Sequence, residues 1–439
     1  MNTPTLKPDA VAVLPPDATA DAAVDRRGFL KQGIKAAGAA VVGGIAGAPA
    51  LTQAAEPVGK EFPAWSTAMG KALSGYGQPS RFEEPVKRYA ASAYGTLAPG
   101  TGSARTPLEK LEGVITPNSL HYDRSHSGAP DIDPAQHKLV IHGLVKRPLS
   151  FSIAELSRYP MVSRICFLEC AGNSSTNILP PEPPQGPAGS VHGLVSCADW
   201  TGIPLALLLN EAGIDPAGTW LLAEGADSAA MSRSVPLEKA LDDAIIALYQ
   251  NGERLRPENG YPVRLLLPGW EGNMSVKWLR SIKVTAGPTH TKDETSKYTD
   301  PMSDGKARQF TFEMGVKSVI TRPSPTMKLE AGLHEITGLA WSGAGRITRV
   351  EVSTDGGTSW RDAALQGQAL PKSLVRFRLP WDWNGQPAQL QSRAIDEKGN
   401  VQPTRKTYKA ENAVDGRFHN NTIVTWGVGA DGSVKNVYL

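Results

Sequence analysis

Proline and glycine punctuate this chain too densely for long helices to run. With 35 prolines and 44 glycines in 439 residues, regular segments are cut short. Proline lacks the amide hydrogen and fixes φ, and glycine carries an entropic cost inside helices and strands. Short strands, tight turns and long loops are the expected material, rather than helical bundles. The body still has the makings of a core: hydrophobic residues are 40% and charged residues 20%, unlike a disordered or membrane-embedded chain. The net charge of +3 is too even for a protein held to nucleic acid by electrostatics, so no nucleic-acid partner is expected. The length allows two or three domains.

The N-terminus reads as an address. Residues 1–24 have no hydrophobic period, and Asp25-Arg26-Arg27-Gly28-Phe29-Leu30-Lys31 then precedes an uncharged stretch from Ala36 to Ala50. That stretch is too short and too rich in small residues to span a membrane. Twin arginines before a weak hydrophobic region resemble a Tat export signal, with cleavage expected near Ala54 or Ala55. Residues 1–54 are therefore expected to be a Tat signal peptide, and the mature protein periplasmic. Residues 55–105, polar and rich in Gly and Pro, are expected to form an N-terminal arm.

Two bodies follow. Over 106–310 the element types mix: strands are expected at His137 to Val145, Arg164 to Leu168, Trp220 to Ala223 and Pro262 to Leu267. Ser152 to Tyr159 reads as a short capped helix, and Leu205 to Ala212 as a helix entered through Pro204. Without regular βαβ alternation, the class is α+β rather than a doubly wound sheet. Residues 288–318 read as a polar connector. Over 319–435 short alternating strands recur at Glu335 to Trp341, Ile347 to Ser353, Leu374 to Leu379 and Gln389 to Ile395. Asp355-Gly356 between them signals a primed hairpin turn. This spacing predicts an immunoglobulin-like β-sandwich, a module that ordinarily supplies an interface.

The chemistry centres on Cys170. Three cysteines cannot all pair, so at least one thiol is left over. Phe167-Leu168-Glu169-Cys170-Ala171-Gly172-Asn173 places Cys170 at a strand end, before turn-forming residues, where its sulfur projects into a loop-built pocket. As a thiolate it would be a soft metal ligand; by spacing alone a buried or disulfide-linked cysteine is the ordinary reading. Cys166 lies on the same strand face, and Cys197 in a separate segment. Zinc is disfavoured, because no CxxC, HExxH or Cys/His cluster occurs. Cations gather in other segments: Tyr122-Asp123-Arg124-Ser125-His126, Pro262-Val263-Arg264, Ser275-Val276-Lys277-Trp278 beside the Gly-rich turn PGWEGN, and Lys297-Tyr298. Arg, Lys and backbone amides together suit a phosphate, and a phenol with an Arg suits an oxyanion.

In chain order, the RxH loop, the CAGN segment, the GYPVR strand and the VKWL segment resemble the sulfite oxidase family of molybdenum enzymes. The resemblance runs from about 110 to 430 and implies a mixed α+β molybdopterin domain followed by an immunoglobulin-like dimerisation domain. Within the family it is strongest to the molybdenum subunits of the Sox sulfane (sulfite) dehydrogenases. It implies one molybdenum on a single pyranopterin (Mo-molybdopterin), with Cys170 as the metal ligand. Tyr122, Asp123, Arg124, Ser125, His126, Asp227, Arg264, Ser275, Val276 and Lys277 are implied as cofactor contacts. Asn259 joins them, standing where many members have His. Tyr298 and Arg124 are implied to face the substrate.

Two departures bear on substrate. Where sulfite oxidases follow CAGN with two arginines, this chain has Ser174 and Ser175, and the family's pocket tryptophan falls near Ser190 in a Pro-rich insert. Losing an Arg from a dianion site removes a charge-assisted bond of about 1.5–3 kcal/mol. That favours a bulkier substrate, sulfane sulfur on a carrier protein's cysteine, over free sulfite; Arg417 is a candidate substitute cation. The implied reaction is oxygen-atom transfer with electrons leaving singly. Since no CxxCH haem motif is present, a dihaem c-type cytochrome (SoxD-like) is the implied partner in an α2β2 assembly, with a SoxYZ-like sulfur carrier as substrate. A sulfite dehydrogenase acting on free sulfite, a periplasmic sulfoxide reductase, and an exported binding module are the alternatives.

Overall fold

The computed structural model describes residues 62–91, 100–413 and 416–439; the expected signal peptide lies outside the described residues. The chain divides into two units, 1–77 and 78–439. In the first, Ala64–Thr67 forms a helical turn that Ser66 Oγ closes on Pro63 O at 2.7 Å. All remaining structure belongs to the second.

Its first half is built on two five-stranded sheets. One is antiparallel, in the order Glu253–Arg254, Ile245–Gln250, Val195–Pro204, Val162–Glu169, with Arg264–Leu266 also pairing to Ile245–Gln250. The other runs Leu149–Ser152, Lys138–Gly143, Leu279–Thr285, Trp220–Gly225, Ser232–Pro236, with its single parallel pair between Lys138–Gly143 and Leu279–Thr285. Leu139, Ile141 and Ile282 from the mixed sheet pack with Ile203, Ile246 and Leu265 from the antiparallel one in a shared core. The α+β expectation holds.

The expected helices form where their residues require. Ser152 caps Ile153–Leu156 through a reciprocal capping box with Glu155, which satisfies amides that a four-residue helix cannot bond internally. Leu205–Ala212 buries Leu205, Leu208, Leu209 and Ala212, the i, i+3, i+4, i+7 stripe of an amphipathic helix. Gly213, at φ 71°, ends it. Truncating Leu208 to alanine would cost about 2–5 kcal/mol at so closed a site. The apolar run Pro262 to Leu267 yields only the short strand Arg264–Leu266.

The second half is a sandwich. A four-stranded sheet, Lys317–Arg322, Gly332–Trp341, Val375–Trp383 and Ala364–Gln366, faces a five-stranded one, Arg361–Asp362, Ile347–Ser353, Ala388–Asp396, Thr425–Val428 and Val434–Val437. Trp341, Phe377, Val350, Leu390 and Trp426 interdigitate between them, giving the aligned two-layer core of this architecture.

Two expectations need correction. Asp355-Gly356 does not make a two-residue primed turn. Val352 pairs with Arg361, and the longer loop between them is organised by the Asp355 carboxylate, which accepts from Ser353 Oγ (2.7 Å) and Ser359 N (2.9 Å). A side chain that nucleates its own loop overrides the dipeptide signal. The supposed connector is also structured: it holds the capped helix Lys292–Thr295, and its Phe310 and Phe312 rings stack on each other, with Phe312 also stacked on Trp270 of the preceding turn. Gly102–Arg105, from the expected arm, pairs with Asp123–Ser125 in a three-stranded sheet and so supports the segment that carries the candidate residues Tyr122 to His126.

Candidate active site

Every residue that sequence singled out as catalytic, cofactor-binding or metal-binding lines one cavity. Seven separate segments deliver them: the strand Asp123–Ser125 with its two flanking residues, the residue just after Val162–Glu169, the turn after Trp220–Gly225, the short helix Pro257–Asn259, the first residue of Arg264–Leu266, the stretch 275–277 before Leu279–Thr285, and the residues after the helix Lys292–Thr295. Close approach of these segments needs a glycine at 272, where a Cβ would meet Tyr122 Oη at 2.5 Å and Glu169 O at 2.9 Å.

Cys170 sits at the strand-to-turn junction, its amide donating to Leu194 O at 2.9 Å. Burial raises its thiol pKa, opposed by a hydrogen bond from the Gly172 amide and by the nearby Arg124 charge. Without a metal the thiol is therefore protonated near neutral pH; a bound cation would reverse that. Cys166 shares its face, packing with Tyr122 and Cys170, whereas Cys197 belongs to the core on the other side of the sheet. All three thiols are free. Among the described residues no three His, Cys, Asp or Glu side chains converge to hold a metal ion, so the protein offers one soft ligand at this cavity.

Opposite Cys170 the lining is charged. Lys277 Nζ donates to Asp123 Oδ1 (2.5 Å) and Glu258 O (2.9 Å) and lies 4.4 Å from the Trp278 ring centroid. Burial lowers its pKa, while Asp123 works the other way. Arg264 gives Nη1 to Asn259 O (2.9 Å) and Nη2 to Ser275 O (2.7 Å), so it braces two loops while adding charge. Ser275 Oγ accepts from Leu267 N at 3.0 Å and is likewise a brace. Asp227 accepts from Ser127 Oγ at 3.0 Å. Three buried polar atoms on this side have no hydrogen-bond partner: His121 Nε2, Asn259 Oδ1 and Arg264 Nε. Buried polar atoms are normally paired, and orphans lining a cavity await a polar ligand.

At the other end Tyr298 is held at φ 49°, a left-handed conformation that a non-glycine residue adopts at some cost. Its Oη lies 3.2 Å from His126 Nε2 and its ring 5.4 Å from that of Phe418. Burial drops the His126 pKa to about 4, helped by Arg124, so the imidazole is neutral at pH 7 and can share the phenol proton. Burial pushes the Tyr298 phenol well up, keeping it a donor. Arg124 donates to Gly102 O (3.3 Å) and Ser125 O, and its charge reaches both Cys170 and Tyr298.

Sequence reasoning missed His121, Met231, Glu258 and Arg233. The first three line the cavity. Arg233 is fully buried, 5.0 Å from the Tyr298 ring centroid, and paired with Glu271 at 3.0 Å. His121, adjacent to the quoted loop, was within reach of the sequence; Arg233 was not, because its place follows from the sheet register. Phe418 and His419 come from the second half of the chain, His419 donating its amide to Ala171 O at 2.8 Å.

The two serines after CAGN do not line the cavity. Ser174, at φ 66°, points away from it and is 2.7 Å from His192 Nδ1 and 2.9 Å from Lys317 Nζ. Ser175 opens the short helix Ser175–Asn177. Ser190 turns back onto Pro187 O at 2.7 Å. Arg417 is exposed and outside the lining, so it does not replace a pocket arginine.

Comparison with known proteins finds both domains in a known family. Residues 126–292 match the oxidoreductase molybdopterin binding domain and 308–425 the Mo-co oxidoreductase dimerisation domain. Sulfite oxidase of Gallus gallus is 32% identical over 326 residues, spanning 69% of this chain and 71% of that protein. Mitochondrial sulfite oxidase of Mus musculus is 32% identical over 327 residues, 69% of this chain and 60% of that protein. The crystal structure of the sulfane dehydrogenase SoxCD from Paracoccus pantotrophus superposes with a TM-score of 0.84 at 45% identity, covering 88% of this chain and 99% of that one.

Proposed function

Since the chain belongs to the sulfite oxidase family of molybdenum oxidoreductases, we propose that it is the molybdenum subunit of a SoxC-like sulfane dehydrogenase. In this reading it works in the periplasm after Tat export. It oxidises sulfane sulfur carried on a protein cysteine and passes electrons to a dihaem c-type cytochrome subunit. The observation that carries the reading is the likeness to SoxCD at 45% identity over nearly all of that chain. The pocket supports it, since no side chain of Ser174 or Ser175 reaches the cavity to bind a small dianion. No helix among the described residues is long and apolar enough to cross a membrane.

The residues present fit a Mo-molybdopterin. The orphaned His121 Nε2, Asn259 Oδ1 and Arg264 Nε offer donors and acceptors to a polar heterocycle, and the Asp123 and Asp227 carboxylates can accept from its ring N–H groups. Lys277 and Arg264 supply the charge that a phosphate needs. Cys170 would give the protein's thiolate to molybdenum. When bound, the metal supplies two-electron oxygen-atom transfer to sulfur.

The remaining work falls to the side chains at the other end. Arg124 attracts an anionic sulfur group, its guanidinium steadied by Gly102 O. Tyr298 Oη donates toward developing negative charge on oxygen, while His126 Nε2 stands 3.2 Å away to exchange the phenol proton. Phe418 closes over the Tyr298 ring and excludes water from that side.

The 32% identity to animal sulfite oxidases favours one second reading, free sulfite as substrate. Cytochrome c reduction by the loaded enzyme with its cytochrome partner separates the two. Faster turnover on the persulfide-loaded carrier than on sulfite is expected; the reverse would make the protein a sulfite dehydrogenase.

A further inference from the structure

The turn that presents Cys170 is held from behind by a charge pair whose cation belongs to the β-sandwich. Glu169 is fully buried. Its Oε1 accepts from Asn173 Nδ2 and from Lys317 Nζ, both at 2.9 Å, and its Oε2 from Trp341 Nε1 at 2.6 Å. Lys317 and Trp341 are register partners at adjoining strand ends, so one sheet edge delivers both donors. Lys317 Nζ donates also to Ser174 Oγ at 2.9 Å. That leaves the Ser174 hydroxyl hydrogen for His192 Nδ1 at 2.7 Å, and burial keeps this imidazole neutral. Asn173 Oδ1 accepts from Leu194 N at 3.1 Å, and Leu194 O accepts from Cys170 N at 2.9 Å. The residues one before and four after Cys170 therefore both bond the Lys317 ammonium, and the residue three after bonds the same carboxylate oxygen of Glu169.

We propose that the Lys317–Glu169 pair positions the Cys170 thiol, so that seating the sandwich on the first domain sets the aim of the metal ligand. The inference rests on the reading of Cys170 as that ligand. A buried ion pair adds little net stability over apolar side chains of equal size; what it adds is direction, because each partner must be met in a fixed geometry. Here the geometry runs through both flanks of the cysteine. The outer side of the same turn is tied to the sandwich as well, by His419 N to Ala171 O (2.8 Å) and Asn420 Nδ2 to Ser174 O (2.9 Å). The second domain thus acts on the cavity without lending a ligand to it.

The test compares the three thiols of the full chain, purified without cofactor. Cys166 and Cys197 are buried and neither hydrogen-bonds to Glu169 or Lys317, so their alkylation reports general loosening. In Lys317→Met, iodoacetamide should label Cys170 about tenfold faster than in the parent while Cys166 and Cys197 stay protected. The cofactor-loaded variant should retain molybdenum at least about tenfold less well during dialysis, the usual scale for a group that orients a ligand. If Lys317→Met does not fold, Lys317→Gln is read in the same way. Labelling of all three thiols together, or no change at Cys170, overturns the proposal. Molybdenum held normally by Cys170→Ser would instead refute the ligand reading, and the labelling result would stand apart from it.

Discussion

Two polar regions flank the end of the strand Val162–Glu169, and they differ in whether their polar atoms are paired. Behind Cys170, the carboxylate of Glu169, the amide of Asn173, the ammonium of Lys317 and the hydroxyl of Ser174 all find partners within the chain. In front of it, His121 Nε2, Asn259 Oδ1 and Arg264 Nε find none. Burial is similar on the two sides. Since an unpaired buried polar atom costs roughly 1–3 kcal/mol, the front offers three such atoms to a ligand, whereas in the network behind Cys170 only His192 Nε2 lacks a partner. Unpaired polarity points to a binding site where several orphaned atoms belong to residues lining one cavity, as they do here.

The largest test of that difference is Cys170→Ser. A hydroxyl is a poor soft ligand, and orienting groups alone are worth 10–100-fold in metal affinity, so losing the ligand should lower turnover and molybdenum retention by more than about 100-fold. Thermal unfolding of the cofactor-free chain should barely move, because serine fits the same volume. Next is Tyr298→Phe, which keeps the stacking on Phe418 and Arg233 but removes the donor. A fall in kcat/KM of about 100-fold is expected with metal content unchanged; an unaltered rate would take Tyr298 out of the reaction.

Lys277→Met should act on the open side alone. It leaves Asp123 without its 2.5 Å partner and removes a cation from the cavity, so cofactor retention should drop about tenfold. The melting temperature of the loaded protein should fall further than that of the cofactor-free protein, because a bound ligand stabilises the folded state in proportion to its affinity. Equal falls in both would mean that Lys277 is merely structural, and that the two sides of Cys170 are alike after all.

Much of this was legible in the chain. Residue types that need a ligand are conspicuous: a lone cysteine at a strand end, cations beside turns, a tyrosine after a cation. Their convergence on one cavity was readable through the order of RxH, CAGN, GYPVR and VKWL. The helix Leu205–Ala212 matched its expected span because its apolar stripe and Gly213 stop are local. What sequence could not yield is whatever depends on register between distant segments. Lys317 stands at the edge of an apparent connector, and nothing near it suggests Glu169, 148 residues earlier. Arg233 beneath Tyr298 and Phe418 over it are hidden for the same reason. The Asp355 loop shows the opposite failure, a local signal overruled by a side chain with better bonds to make.

The smallest expected effect asks what the two serines mean. Family resemblance puts cations where Ser174 and Ser175 stand, yet the two positions are not equivalent here. Ser174 is bonded to Lys317 and His192, so an arginine there would set one buried cation against another with no carboxylate to spare. Ser175 is half-buried and has no such commitment. An arginine side chain at 175 is long enough to turn toward the cavity and supply the missing charge. One added charge-assisted bond of about 1.5 kcal/mol corresponds to a rise of about tenfold in kcat/KM for free sulfite, which is an upper bound because an exposed approach weakens it. Turnover on the carrier-bound sulfur should fall or hold. A variant that uses sulfite no better would separate substrate choice from cation count, leaving the shape of the Pro-rich insert around Ser190 as its determinant.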